Sequence, residues 1–435
     1  MEPVIVQRDA HNISRKDISP EALRVLYRLD EQGYLGYIAG GGVRDLLLGR
    51  KPKDFDIVTD ATPNQVRRIF HNCRLIGRRF RLAHVYYGNV NVEVATFRSG
   101  QTPDEEPDQE AQRHHVQSDE GLILRDNLFG TPEEDARRRD FTINALFYNI
   151  RDFTVIDYVG GLQDLRAKVL RFIGDPQVRT VEDPVRMIRA VRFAATLDFR
   201  IDPGAEQAFH TLYDRLALAN RSRLYEEVLK LFFCGAAQQA YAHLRDFNLF
   251  GMLFPEIGAW LGPTKGTPEC CRISEALRQV DEWRQAGREV SPALLFALLF
   301  GGMHEAHAGA LTAQGQHPGL ALHSVTLQHF GGLTERVQVP KTVRYRTAEI
   351  LASQPRLAAQ DGARAEPLAS RSFFKEAVAY LEFTHRLTGA NGPALERVLA
   401  IPPVAPRDRP RHGRRPRRGK RFRERREAAP VNAAE

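Results

Sequence analysis

Hydrophobic and polar positions alternate with two different periods along this chain, and the change comes near residue 183. Before it, short apolar runs with a period of two predict strands, and helix-like stretches separate them. After it, apolar positions recur every three or four residues, which predicts a mostly helical region. The pattern therefore indicates a small α/β head followed by a helical body.

Local signals fix several of these elements. Ser19 as N-cap and Pro20 at the first helical position predict a helix over 20–30. A Gly88-Asn89 turn between two strand-like runs predicts a β-hairpin. The other head elements that we expect are strands over 37–39, 54–59, 84–87 and 90–97, helices over 43–48 and 63–70, and a polar mobile loop over 101–119. The expected body helices cover 184–197, 204–216, 221–233, 237–247, 292–299 and 373–388.

These elements form an α+β fold that we divide into four units. Residues 1–150 form the α/β head, 151–260 a helical neck, and 261–390 a helical body. Residues 391–435 form a linker and a disordered Arg-rich tail. The linker assignment rests on the prolines between residues 390 and 406.

The net charge of +8 is concentrated near the C-terminus. Residues 407–427 carry +9, whereas the rest of the chain carries −1. Dense arginine interrupted by Pro and Gly cannot bury a core, which predicts disorder. Such a tail suits a polyanion such as RNA, and a solubilising tail or attraction to an anionic membrane are the alternatives. The candidate RNA-binding cations there are Arg414, Arg415, Arg417, Arg418, Lys420 and Arg421.

Composition also indicates the cellular compartment in which we expect the protein. The chain has no apolar run long enough to cross a bilayer, so we expect no membrane span. The N-terminus is polar and lacks the apolar core of a signal peptide. The four cysteines form no CxxC motif, which favours reduced thiols in a cytoplasmic protein over a zinc or redox site.

Residues 40–45 (GGGVRD) lie between a predicted strand and a predicted helix. Glycines there let backbone N–H groups approach a phosphate, and the helix N-terminus adds favourable partial charge. The run does not match GxGxxG, because Asp45 occupies the last glycine position, and the chain contains no GxxxxGK[ST]. The run therefore indicates either a phosphate-binding loop of another type or a plain tight turn.

Asp54 and Asp56 flank Phe55 in a predicted strand. A period of two sends both carboxylates to one face. Two hard oxygen ligands side by side suit Mg²⁺, which can activate a hydroxyl and neutralise a triphosphate. The alternative is a solvated strand face, which the nearby glycine loop makes less attractive.

Five motifs in order resemble those of class II nucleotidyltransferases, the superfamily of tRNA CCA-adding enzymes and bacterial poly(A) polymerases. The head signature is residues 40–49 followed by residues 54–56 (DFD). The similarity continues through 93–98 (EVATFR), 138–144 (RRDFTIN), 182–186 (EDPVR) and 189–194 (RAVRFA). The resemblance implies a nucleotidyltransferase head and template-independent addition of nucleotides to RNA 3′ ends.

The resemblance also implies roles for the acidic residues. Asp54 and Asp56 would bind two Mg²⁺ ions, with Mn²⁺ as a substitute. Asp140 is our choice for a third catalytic carboxylate because it lies inside a family motif, and Glu93 on a predicted strand is the competitor. The alternative for Asp140 is an ion pair with one of the arginines at 137–139.

Nucleotide binding is assigned from the same resemblance. The loop and its helix would hold the triphosphate, the arginine before Asp140 would contact the incoming nucleotide, and the helix after residue 182 would read the base. The residues so implied are Gly41, Arg44, Arg139, Asp183, Arg186, Arg189 and Arg192.

The spacing of these residues along the predicted helix agrees with the implied role in recognising the nucleotide base. The implied residues from Asp183 to Arg192 step by three and form a polar stripe. The buried face is predicted to comprise Met187, Ala190, Val191 and Ala194. An acceptor and a planar donor at i, i+3 can address a purine edge together. Alternatively, Asp183 is only the N-cap ahead of Pro184.

Several features resemble the poly(A) polymerase branch more than the CCA-adding branch. They are Lys53 and Phe55, residues 73–85, Pro184 and the Arg-rich tail. The implied partners are ATP, RNA 3′ ends, and RNA-decay or RNA-chaperone proteins. The alternatives are a tRNA CCA-adding enzyme and a catalytically inactive RNA-binding protein on the same scaffold.

Overall fold

The computed structural model describes residues 2–77, 81–99, 115–117, 123–126, 129–359 and 365–402. The tail cations at 414–421 lie outside the described residues. The same is true of most of the predicted loop at 101–119, although its residues 115–117 form a strand.

The head is built on one eight-stranded mixed sheet with the strand order β1-β10-β9-β2-β3-β6-β5-β4. All neighbours are antiparallel except β3 and β6. Its strands are β1 Val4–Val6, β2 Gly36–Ala39, β3 Asp56–Thr59, β4 Cys73–Ile76, β5 Leu82–Tyr87, β6 Val90–Thr96, β9 Leu146–Asn149 and β10 Val155–Asp157. Two small pairs are separate: β7 His115–Gln117 with β8 Ile123–Asp126, and β11 Val169–Leu170 with β12 Arg200–Ile201.

Three helices lie near the sheet: α1 Pro20–Glu31, α2 Gly41–Leu47 and α3 Pro63–Ile69. Two of them, α1 and α3, begin with side-chain caps. The Ser19 hydroxyl accepts a hydrogen bond from the Ala22 N–H, as the sequence predicts. Apolar residues of α1 and α3 join one face of β5 and β6 in a single core.

The helical region begins before the point that the sequence indicates. Its head-proximal helices are α4 Pro132–Arg138, α5 Gly161–Ala167, α6 Pro176–Glu182, α7 Val185–Leu197, α8 Pro203–Leu212, α9 Arg221–Phe232 and α10 Ala237–Asp246. The later helices are α11 Leu249–Leu253, α12 Pro255–Leu261, α13 Pro268–Gln285, α14 Pro292–Ala313, α15 Pro318–Leu333, α16 Lys341–Ala352, α17 Gln354–Leu357, α18 Phe374–Thr388 and α19 Gly392–Leu399.

Several predicted boundaries differ from those in the structure, including the end of the helix predicted over 292–299, which extends to Ala313. Strand β3 begins at Asp56, so Asp54 lies before it, and α2 begins at Gly41 rather than residue 43. Strand β10 belongs to the head sheet although it lies beyond residue 150. The predicted linker after residue 390 contains α19, because Leu395 and Val398 are buried against the body.

Helix α14 is the central helix of the body. It packs against α13, α15, α16 and α18, and most of its residues are buried. It is the one described helix long and apolar enough to cross a membrane, and 61% of its most apolar window is buried inside the protein. Its contacts are those of a core helix.

Candidate active site

A cavity of about 800 Å³ lies between the head sheet and α7. Every head and neck residue that we predicted to act on nucleotide or metal lines it: Gly41, Arg44, Asp54, Asp56, Arg139, Asp140, Asp183, Arg186, Arg189 and Arg192. A larger cavity of about 1370 Å³ lies in the helical body. We take the smaller cavity as the candidate site because charged groups of both signs converge there.

The glycine loop forms the edge of the cavity beside Arg139. Gly40 has a φ of +70°, which favours glycine, and a Cβ at this position would lie 3.0 Å from an Arg139 Nη atom. Helix α2 begins at the next residue, so its first backbone N–H groups are free of intrahelical partners. The loop can therefore approach an anionic ligand closely.

Three carboxylates occupy one side of the cavity. Ile57 of β3 pairs with Val94 of β6, so the preceding residues Asp56 and Glu93 lie side by side. Desolvation, followed by the negative charges of Glu93 and Asp54, raises the pKa of Asp56 to about 6. Within the described residues neither aspartate forms an ion pair. These carboxylates repel one another and suit a cation.

Asp140 has a different environment from these three carboxylates. One of its oxygens accepts two hydrogen bonds from Arg189, and the other accepts from Phe141 N and Asn144 Nδ2. Burial raises the pKa of Asp140, but the charge of Arg189 and these hydrogen bonds outweigh it and lower the pKa to about 2. The alternative partner that we expected, an arginine at 137–139, is replaced by Arg189.

Arginines converge on Phe193 on the opposite side of the cavity. The guanidinium carbons of Arg44, Arg189 and Arg192 lie 5.1, 5.6 and 4.3 Å from the centre of the Phe193 ring. Burial lowers the pKa of Arg192, and the charge of Arg189 adds to this effect. Arg192 has no ion pair within the described residues, which leaves its charge for a ligand.

Arg44 and Arg139 are fixed by a shared neighbour, Asn144. Arg44 Nη1 donates a 2.7 Å hydrogen bond to the Asn144 side-chain oxygen, and Arg139 Nη1 donates a 3.2 Å bond to the Asn144 carbonyl. Arg139 also donates to Asp135, at 3.1 and 3.0 Å. Both guanidinium groups are therefore oriented before any ligand arrives.

The predicted base-reading pair lies at the start of α7. Arg223 donates two hydrogen bonds to the Asp183 carboxylate, at 2.9 and 2.8 Å. Asp183 also accepts a 3.3 Å bond from Val185 N, but the N-cap of this helix is Pro184, and Asp183 is the C-cap of α6. Arg186 Nη1 bonds the Glu182 carboxylate and the Arg179 carbonyl. The predicted buried face of α7 is confirmed.

Sequence reasoning missed Asn144 and Arg223 and treated Glu93 only as a competitor. Asn144 stands inside the RRDFTIN motif, which could have drawn attention to it. Arg223 lies forty residues from Asp183, and nothing in the local pattern connects the two. Strand parity places Glu93 on the face of Asp56, which becomes visible only once β3 and β6 are paired.

Three family descriptions match successive parts of the chain. The Poly A polymerase head domain matches residues 36–171, and the probable RNA and SrmB-binding site of polymerase A matches residues 198–261. The polymerase A arginine-rich C-terminus matches residues 314–398.

Individual relatives agree with these matches. Poly(A) polymerase I of Salmonella typhi is 44% identical over 398 residues, which cover 91% of this chain and 84% of that protein. A CCA-adding enzyme of Lactobacillus helveticus is 35% identical, with 54% of this chain and 55% of that protein covered. Among solved structures, the CCA-adding enzyme of Bacillus stearothermophilus in complex with CTP has a TM-score of 0.60 at 26% identity, covering 88% of this chain and 82% of that one.

Proposed function

Since the chain belongs to the poly(A) polymerase I family, we propose that it transfers AMP from ATP to RNA 3′ ends and releases pyrophosphate. One observation carries this proposal. The cavity is lined by carboxylates, of which Asp54 and Asp56 form no ion pair within the described residues, and by a cluster of arginines together with the glycine loop. The arginines suit the negative charge of a triphosphate, and the carboxylates suit a cation that activates a hydroxyl nucleophile.

A divalent cation, Mg²⁺ with Mn²⁺ as a substitute, fits the carboxylate side. The donor set is made of hard oxygens. Burial, together with the negative charges of Glu93 and Asp54, raises the pKa of Asp56 against the opposing charge of Arg139. No group of three His, Cys, Asp or Glu in the described residues is already arranged around a metal position. We propose that Asp54 and Asp56 hold the ion, which supplies Lewis-acid activation of a hydroxyl and screens phosphate charge.

On the opposite side, Arg44 and Arg192 bind the triphosphate. Arg44 is buried and oriented by Asn144, while Arg192 is a cation with no carboxylate partner among the residues that the structure describes. The α2 N-terminus at Gly41 adds N–H donors toward the same anion. Because these groups are fixed in advance, they stabilise the charge on the leaving pyrophosphate without reorganising.

The polar stripe of α7 reads the base. Arg223 donates one hydrogen bond to each carboxylate oxygen of Asp183, and Arg186 donates a hydrogen bond to the Glu182 carboxylate. Each side chain keeps further hydrogen-bonding capacity, so a purine edge can meet an acceptor and a planar donor at once. Arg139, anchored by Asp135 beside the glycine loop, contacts the same nucleotide.

Glu93, rather than Asp140, is the better third carboxylate. Glu93 lies beside Asp56 and is exposed to the cavity, whereas the acceptors of Asp140 are taken by Arg189, Asn144 and Phe141. We propose that Asp140 is a positioning residue, which fixes Arg189 on α7 relative to the head.

We propose the same four-unit division, with the head extended to include β10, the neck and body binding RNA, and residues beyond α19 forming the basic tail. The cysteines at 73, 234, 270 and 271 are free, and we place the enzyme in the cytoplasm. RNA-decay or RNA-chaperone proteins are the proposed protein partners.

A tRNA CCA-adding activity is the second candidate, because relatives and structural neighbours bear that name. One assay separates the two. The chain is given ATP or CTP, with either an unstructured RNA or a tRNA that lacks its terminus. Long A tails on the unstructured RNA support the proposal, whereas three-nucleotide completion of tRNA alone overturns it. If no nucleotide is incorporated into either RNA, the remaining hypothesis is the catalytically inactive RNA-binding protein.

A further inference from the structure

A row of polar side chains leads away from the proposed catalytic carboxylates across the sheet. Asp56 of β3 lies beside Glu93 of β6. Glu93 pairs with His84 of β5, and His84 pairs with Arg74 of β4. All four belong to one rung of the sheet, with neighbouring strands about 4.8 Å apart. Arg74 stands at the sheet edge, because β4 is the last strand.

The face that carries this row differs from the opposite face of the same strands. The opposite side chains, such as Val85 and Val92, are buried in the core with α1 and α3. On the row's own face Arg74 and Glu93 are exposed, and His84 and Tyr86 are half-buried. The row's face therefore retains polar and aromatic surface that folding does not bury.

Specific contacts hold the row together. Asn91 Nδ2 lies 2.8 Å from His84 Nδ1, so Nδ1 must accept, and the other ring nitrogen lies 3.7 Å from a Glu93 oxygen. The His84 and Tyr86 rings are 6.3 Å apart, and the Arg74 guanidinium lies 5.8 Å from the Tyr86 ring centre. Two aromatic rings and one guanidinium group therefore lie next to one another beyond Glu93.

We propose that this surface, made of Arg74, His84 and Tyr86, binds the last nucleotides of the single-stranded RNA primer. The inference rests on the proposed function, which brings the RNA 3′-hydroxyl to the carboxylates at the start of the row. Aromatic rings that bases stack on, together with cations for the phosphates, are the usual means of binding single-stranded RNA without reading its sequence. Such binding suits a primer of any sequence.

The test compares Tyr86→Leu with the matched variant Tyr86→Phe, which keeps the ring. With ATP and a short oligoadenylate primer, Tyr86→Leu should raise the KM for primer about tenfold and leave the KM for ATP unchanged. Tyr86→Phe should behave as the unsubstituted chain. Arg74→Gln should also weaken primer binding and reduce its salt dependence. Tyr27→Leu, on α1, is the control for a tyrosine away from this surface.

A second measurement separates this inference from the proposed function. Fluorescence anisotropy with a labelled oligoadenylate that lacks its 3′-hydroxyl reports primer affinity without any turnover. If the unsubstituted chain extends no RNA, the proposed function fails, and the anisotropy still tests the surface. If Tyr86→Leu and Arg74→Gln keep the full affinity and the original KM for primer, the row only stabilises the sheet and the inference is wrong.

Discussion

Arg189 donates two hydrogen bonds, 2.8 and 2.6 Å long, to a single carboxylate oxygen of Asp140. Asp140 follows α4 in the head, whereas Arg189 lies in the middle of α7. The ion pair therefore connects α7, which carries the proposed nucleotide-binding residues, to the segment that carries Arg139 and Asn144.

Asp140→Ala should lower the free energy of unfolding by about 3 kcal/mol, because it leaves the Arg189 charge without its partner in a largely buried place. Chemical denaturation measures the change. Glu93→Gln is the matched comparison, because Glu93 is exposed. The free energy of unfolding of this variant should stay the same, while its kcat should fall. An Asp140→Ala variant of normal stability but no turnover would instead give Asp140 the catalytic role that the sequence suggested.

Asp54→Ala and Asp56→Ala should each reduce kcat by several orders of magnitude, because the cation loses a ligand. RNA affinity should stay nearly unchanged, since neither carboxylate attracts a polyanion. Single-turnover extension assays and RNA titrations measure the two quantities separately. Near-normal turnover in either variant would contradict the metal assignment.

Asp56 should make the stability of the metal-free protein depend on pH. Its pKa of about 6 in the folded chain exceeds the ordinary value of 3.8, so the folded state binds this proton more tightly than the unfolded state. The resulting stabilisation is fully present below pH 3.8 and is lost as the pH rises through about 6.

Thermal unfolding in the presence of a chelator, from pH 4 to pH 7, measures this effect. Asp56→Asn should flatten the decline, whereas Asp17→Asn, at an exposed position outside the cavity, should leave it intact. A decline that persists unchanged in Asp56→Asn would assign the titration to another group.

Arg186→Ala should reduce discrimination between ATP and CTP about tenfold, measured as the ratio of kcat/KM values. Binding of the triphosphate should change less, because Arg44 and Arg192 remain. Arg200→Ala, an exposed arginine outside the cavity, is the control. An unchanged ATP/CTP ratio in Arg186→Ala would show that base recognition lies elsewhere.

Removing the residues after Pro406 should weaken RNA binding and flatten its dependence on salt, because the +9 segment at 407–427 is lost. The folded body and the chemical step should survive, since every residue of the candidate site lies before residue 231. Dissociation constants for a generic RNA at several salt concentrations test this. Equal affinity and equal salt slope with and without the tail would show that it does not bind RNA.

Features encoded by neighbouring residues were predictable. Ser19 and Pro20 gave the start of α1, the Gly88-Asn89 turn gave the β5–β6 hairpin, and the 3.6-residue period gave the buried face of α7. Each signal lies within a few residues of the structure that it specifies, so the local preference and the tertiary packing agree.

Features that depend on distant contacts were not predictable. The charge partner of Asp140 was expected beside it in sequence, yet Arg189 is the partner. The prolines after residue 390 suggested a linker, but burial of Leu395 against the body stabilises α19. In both cases a tertiary contact, which the local pattern does not contain, decides the outcome.

The pairing of β1 with β10 has a consequence for synthesis on the ribosome. Val4 lies opposite Asp157, so once β1 has been made, more than one hundred and fifty further residues must follow before its hydrogen-bonding partner exists. Such a distant pairing is slow to form, and an edge strand left open exposes unpaired backbone groups to other chains. The nascent head therefore passes through a stage in which neither side of β1 has a partner strand, and that stage cannot end before residue 157 has been made.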